Sequence, residues 1–216
     1  VVEVKNIMIS TNPNSTTVSA GWNWDKLRTI NLFLENCERA AVAEDVLAHY
    51  QGVARFFRAR FYMDKVKRFS DVPWYEKTLT TADEDLYKPR DSRDFVIQKI
   101  FEDFQFAAEH VKTGQETGAV DKWVVLTYMA RHALYEGTYR KYHDELNLQS
   151  SAGTYLKMAA DVALQIMNEG GFSIYTTGDV DNDYHTLFES SDLSTNPEII
   201  LATYFDRKIQ GNGFWA

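Results

Sequence analysis

With a single cysteine, Cys37, the 216-residue sequence can form no intramolecular disulfide and no multi-thiolate metal site. Four prolines and 11 glycines interrupt it so seldom that long regular elements are expected. It also lacks an excess of positive charge: 23 Lys and Arg stand against 31 Asp and Glu, for a net charge of -8. A phosphate backbone wants a basic face, so nucleic acid is excluded as a partner. No apolar run approaches the roughly 18 residues that a membrane span requires. No signal peptide is present, and the first residue is Val1 and not Met. This reads as an interior fragment, in which case missing targeting signals say nothing about where the parent protein lives.

Aromatic residues are plentiful: 12 Tyr, 13 Phe and 5 Trp make up 14% of the chain. Such rings serve equally as core filler and as stacking platforms for ligands. The 44% hydrophobic and 25% charged content is ordinary for a globular protein. The length suits one large domain or two small ones.

Residues 1–21 read as irregular, with a short strand possible at Val1 to Val4 and a polar loop over Ser10 to Thr17. A helical pattern runs from Trp22 to about Arg39. It contains Cys37, which therefore does not read as a lipid-attachment site. A second covers Ala43 to Arg68, with Val53, Phe57 and Phe61 on one face, and Asp71-Val72-Pro73 closes it. Asp91-Ser92-Arg93-Asp94 supplies capping oxygens for a helix that buries Val96, Ile100, Phe104, Ala107 and Val111. Gly118 to Asp121 opens another, with Trp123, Thr127, Ala130, Ala133 and Gly137 along one stripe, where small residues admit a close neighbour. A further helix carries Leu156, Ala160, Ala163 and Met167 until Gly170-Gly171 stops it. Phe172 to Tyr175 reads as extended, Tyr184 to Phe188 as one turn, and Ile199 to Phe205 as a strand or a buried turn. The expected fold class is mainly α, with antiparallel helices in a tetratricopeptide-like arrangement at a spacing near 34 residues.

Five segments in order carry a resemblance to a known family. Gly52 to Tyr62 is similar to a helix of the form G-x-x-x-F-L-R-A-x-x-Y, and Val66 to Pro73 to "V-x-x-y-G-D-V-P". Pro89 to Ser92, with Ile100 to Phe104 and Ala107-Ala108, matches "R-D-S … I-x-x-D-L-x-x-A". Gly118 to Gly137 looks like "A-L-x-A-R-x-x-L-Y-x-G", and Tyr155 to Tyr175 like "Y-x-x-A-A-d-x-A-x-x-V-i-x-s-G-x-Y-x-L". Asp183 to Phe188, then Asn196 to Ile200, resembles "Y-x-x-L-F … n-x-E-i-I". The family is SusD/RagB. Ser70 stands where it usually has Gly, Phe104 where it has Leu, and Asp121-Lys122-Trp123 is bulkier than usual.

The resemblance implies a tetratricopeptide-like helical scaffold with irregular loops, and residues 1–216 as a single partial SusD-like domain. The lipid-bearing N-terminal region and a loop-rich C-terminal half would lie outside it. It implies no enzyme and no cofactor. It implies a lipoprotein on the extracellular face of an outer membrane, capturing oligosaccharides, or in some members peptides or another nutrient. The implied partner is a SusC-like TonB-dependent transporter, for which the protein would act as a lid.

Sugar binding in water relies on aromatic faces against C–H faces, with planar polar side chains for the hydroxyls. Gly21-Trp22-Asn23-Trp24 offers two indoles and an amide. Period-two spacing would point Trp22 and Trp24 in opposite directions, with Trp24 packed at the helix start, as its likeness to the family's packed Trp also implies. Trp22 and Asn23 are then the ligand candidates, and Trp74-Tyr75 is an alternative platform. Arg58 and Arg90 are read as structural ties to carbonyls or a carboxylate.

Gly178 to Asp183 has the alternating carboxylates that start a calcium loop, but Tyr184 replaces the central Gly and Ser190 the terminal Glu, so a solvated acidic turn is the simpler reading. His49, His110, His132, His143 and His185 are scattered, in no metal-ligand spacing and no nucleophile elbow. Asp144-Glu145 and Asp83-Glu84-Asp85 read as solvated charge, so a hydrolase is disfavoured. Two other classes stay open: an intracellular tetratricopeptide scaffold, which predicts stricter repeats, and an all-helical glycoside hydrolase, which predicts release of reducing sugar.

Overall fold

The computed structural model describes residues 21–116, 118–190 and 192–203. The expectations for Val1 to Val4 and Ser10 to Thr17 lie outside them. Among the described residues the fold is mainly α, as expected, with six α-helices and no sheet: α1 (Asp25–Asn36), α2 (Glu44–Phe69), α3 (Arg93–His110), α4 (Lys122–Tyr142), α5 (Ala152–Glu169) and α6 (Asp183–Glu189). One isolated antiparallel bridge joins Val72 and Asp91. Residues Ile199 to Thr203, expected as a strand or a turn of helix, form neither; Tyr204 and Phe205 are outside the described residues.

Contacts divide the chain into two compact units: Val1–Leu47 with Ala54–Asp103, and Ala48–Val53 with Phe104–Ala216. In the first, α2 buries Phe56, Ala59, Met63 and Val66, spaced by three and four residues. This corrects the expected face. Phe57 is 40% exposed whereas Phe56 is fully buried, and Phe61 is half-buried. The helix carries aromatic rings on adjacent positions, so spacing by four does not single out the buried side. On α3 the expected stripe holds: Val96, Ile100, Phe104 and Ala107 are fully buried and Val111 nearly so. Each large apolar side chain buried in this way contributes about 1.5–3 kcal/mol.

The chain between α2 and α3 is fixed at both ends. Ser70 leaves α2 at φ 59° and ψ -88°, its N–H on the Val66 carbonyl at 2.9 Å. That left-handed φ favours glycine, the residue that the resembling motif has there. Asp71 then accepts the Arg93 N–H at 2.8 Å, capping α3 from across the connection. Ser92 stands 3.4 Å from the Phe95 N–H, a longer contact. Asp91 accepts the Trp74 N–H at 2.7 Å and Lys88 Nζ at 2.8 Å.

In the second unit, Asp121 caps α4 by accepting the N–H groups of Trp123 and Val124. Gly137 is buried where a Cβ would stand 2.8 Å from the Leu156 side chain and 2.9 Å from its backbone nitrogen. The close approach of α4 and α5 thus requires glycine, as the small-residue stripe predicts. Of the α5 residues expected along one stripe, Met167 is 76% exposed, and Ala160 and Ala163 are exposed as well. Burial on that helix falls on Ala152 and Ala159 instead.

Candidate ligand-binding site

A cavity of about 520 Å³ lies within the first unit, between the start of α1 and the connection from α2 to α3. Its size falls in the usual range for small-molecule sites. Trp22, Trp24 and Tyr75 line it together with Arg28, Lys88 and Arg90.

The start of α1 places the two indoles. Trp24 is the residue before the helix, at φ -119° and ψ 3°, which is not extended backbone. Period-two alternation therefore breaks down, and the rings meet instead of diverging: Trp22 and Trp24 have centroids 5.1 Å apart at 75°. This corrects the expectation of opposite directions. Trp24 also packs on Phe61 at 5.5 Å and Tyr62 at 6.0 Å, the packing role expected of it. Its further contact with Tyr75, at 5.9 Å and 73°, brings the loop residue to the same cavity wall. Trp22 rests edge-on against Phe69 at 4.8 Å, with the Arg90 guanidinium 5.0 Å from its ring centroid.

The connection between α2 and α3 is held against α1 by polar groups that find partners there. Buried Asn31 donates to the carbonyls of Tyr75 at 3.0 Å and Lys77 at 3.2 Å. Tyr62 accepts the Tyr75 N–H at 2.6 Å. Burial pushes the Tyr62 phenol pKa well up, so its hydroxyl stays neutral. Glu35 accepts the N–H and hydroxyl of Thr78, which hold its carboxyl below the usual range. Lys65 donates to the Gly21 carbonyl and lies 5.5 Å from the Trp24 ring.

The sequence-predicted residues separate here. Trp22 and Tyr75 line the cavity. Asn23 does not; it is exposed, and its amide group both donates to the Asp25 carboxylate and accepts the Asp25 N–H, each at 2.9 Å. Trp74 is only 6% exposed and lies tilted over Tyr62 at 4.1 Å, with Arg58 at 5.3 Å. Its indole N–H donates to Glu76 at 2.9 Å, and it lines a second cavity of about 440 Å³, which Tyr75 and Lys88 share. Arg58 is tied to Asp103, in accord with a structural reading, while Arg90 faces the cavity.

Residues missed in the sequence are Arg28 and Lys88, and Trp24 as a wall residue. Arg28 reaches the Leu79 carbonyl, 51 positions along the chain, and no local pattern announces such a pairing. Asp25 is the single carboxylate lining this cavity among the described residues. Glycoside hydrolysis in its usual form uses two flanking carboxyl groups, and the described lining supplies one.

Elsewhere, the acidic turn is spent on local structure. Asp183 accepts the Thr176 hydroxyl at 2.8 Å, the Thr177 hydroxyl at 2.6 Å and the Thr177 N–H at 2.9 Å. Asp179 accepts from the Asn182 amide at 2.9 Å. Among the described residues, no group of three or more His, Cys, Asp or Glu stands where it could hold a metal ion. Cys37 is free and buried, and no described helix is long and apolar enough to cross a membrane.

No protein-family model matches the sequence, and no curated protein does. Solved structures do match in fold. A SusD-like protein from Bacteroides fragilis aligns with a TM-score of 0.67 at 23% identity, over 83% of this chain and 32% of its own. A SusD superfamily protein from Parabacteroides distasonis gives 0.71 at 20%, over 92% of this chain and 40% of its own. A protein crystallised with a xylogluco-oligosaccharide gives 0.66 at 17%, over 89% and 37%. The chain thus spans 32% to 40% of the length of these structures, and its fold is that of the corresponding part of SusD-like proteins.

Proposed function

We propose that this chain is the helical part of a SusD-like nutrient-binding protein, and that its cavity between α1 and the loop of Tyr75 holds a saccharide. One observation carries the reading. Trp22, Trp24 and Tyr75 converge on one cavity with two guanidinium groups and a single carboxylate. Aromatic faces suit the C–H faces of pyranose rings, and planar donors suit hydroxyl oxygens. The likeness in fold to a protein crystallised with a xylogluco-oligosaccharide supports the class of ligand.

On this reading residues 1–216 form a single partial SusD-like domain. The full-length protein is lipid-anchored at the extracellular face of an outer membrane. It captures oligosaccharides there and closes as a lid on a SusC-like TonB-dependent transporter. Trp22 and Tyr75 stack on the ligand; Trp74 contributes from the second cavity, which Tyr75 shares, and Asn23 acts through the Asp25 carboxylate that it holds. No catalytic step belongs to the protein.

A glycan array probed with the chain, followed by a reducing-sugar assay on whatever binds, tests this. Binding without release of sugar is expected; release of sugar would replace the reading with a hydrolase. Co-purification of the full-length protein with a large outer-membrane barrel tests the partner, and persistent absence of such a barrel would overturn the import role.

A further inference from the structure

We infer that the saccharide taken by this cavity is anionic, carrying a uronate carboxylate or a sulfate ester; this rests on the saccharide reading above. Four cationic side chains line the cavity, Arg28, Lys77, Lys88 and Arg90, against the one carboxylate of Asp25. A local surplus of positive charge on a chain of net charge -8 is not what composition alone would place there.

The four cations are not equivalent. Lys77 pairs with Asp85 at 2.9 Å and Lys88 with Asp91 at 2.8 Å, so their charges are met within the protein. Arg28 and Arg90 make no ion pair with a carboxylate among the described residues. Arg28 Nη1 donates to the Leu79 carbonyl, a neutral partner, which leaves the remaining N–H groups of its fork. Glu35 feels the Arg28 charge, but its own oxygens are taken by Thr78. Arg90 stands over the Trp22 ring, so an indole face and a guanidinium occupy adjoining wall. Asp25 is engaged by the Asn23 amide.

A planar fork with spare donors matches a carboxylate or sulfate bidentately, with shorter and stronger hydrogen bonds than a neutral hydroxyl receives. A sugar ring stacked on Trp22 would bring an oxyanion on its exocyclic carbon beside Arg90.

The test uses matched probes on the chain by calorimetry: trigalacturonate and its methyl ester, glucuronate- and glucose-terminated oligosaccharides, and a sulfated oligosaccharide with its desulfated twin. The expected result is that at least one anionic member binds about tenfold more tightly than its neutral twin. That ratio should shrink from 50 mM towards 500 mM salt (roughly a threefold drop in Debye length), and fall towards one in Arg90→Gln. Should Arg90→Gln lose its helical circular dichroism, Arg28→Gln and the salt series on the unaltered chain read the same ratio. Equal affinity within every pair overturns the inference and leaves the saccharide reading standing. Absence of binding to all six probes overturns both.

Discussion

Arg58 and Asp103 face each other as a two-pronged pair in the buried interior of the first unit, with Nε to Oδ2 at 2.6 Å and Nη2 to Oδ1 at 2.8 Å. Burial drives the Asp103 carboxyl pKa upward, and the two hydrogen bonds from Arg58 oppose that. Arg55 adds a weaker contact at 3.8 Å. The pair joins α2 to α3, and Arg58 also covers Trp74 behind the candidate site.

Removing one partner leaves a buried charge without its counter-charge. Asp103→Asn is expected to cost about 3–5 kcal/mol in urea unfolding, and the double variant Arg58→Met with Asp103→Leu is expected to cost less than the single. A double variant less stable than the single would show that the pair itself, and not the stranded charge, carries the effect.

Ser70 holds a left-handed φ of 59° that its side chain disfavours. Ser70→Gly should therefore stabilise the protein, by about 1 kcal/mol, seen as a higher Tm. A lower Tm would mean that the Ser70 side chain makes a contribution exceeding the backbone strain.

Gly137→Ala should do the reverse of what helix propensity predicts. Alanine is favoured over glycine in a helix interior by about 1 kcal/mol. Here the new methyl would stand 2.8 Å from the Leu156 side chain and 2.9 Å from Leu156 N, so α4 and α5 must separate. A net loss of about 1–3 kcal/mol is expected from overpacking. Stabilisation would show that the two helices part without cost.

His49 gives the second unit a pH dependence. Its Nδ1 accepts the Lys112 N–H at 3.1 Å, which requires the neutral ring, and burial lowers its pKa. With the folded pKa below the unfolded one, the unfolded state binds protons first, so stability is present above the unfolded value of about 6.5 and is lost as pH falls from there through the lower folded value. Asn at this position offers an amide oxygen in place of Nδ1 without titrating. Between pH 8 and pH 5, the stability of His49→Asn should change less than that of the unaltered chain; equal slopes would remove His49 as the cause.

The helices were legible because their signals are local. Val96, Ile100, Phe104, Ala107 and Val111 repeat at helical spacing, and the structure buries all five. On α2 the same reading named Phe57 where Phe56 is buried, because neighbouring aromatic positions make the period ambiguous. For the site, Trp22 and Tyr75 could be named as aromatic platforms, and they line one cavity. Their meeting could not be read, since it depends on Asn31 and Glu35 reaching residues more than 40 positions away. Nor could the convergence of Trp22 and Trp24, which follows from a non-extended backbone at Trp24.

The most direct test of the candidate site is calorimetric titration of saccharides into the unaltered chain and into Trp22→Ala, with helical circular dichroism matched between the two. Loss of one stacking face predicts affinity weaker by about tenfold, equivalent to about 1.4 kcal/mol. Saccharide binding of unchanged affinity in Trp22→Ala would contradict the assignment of this cavity.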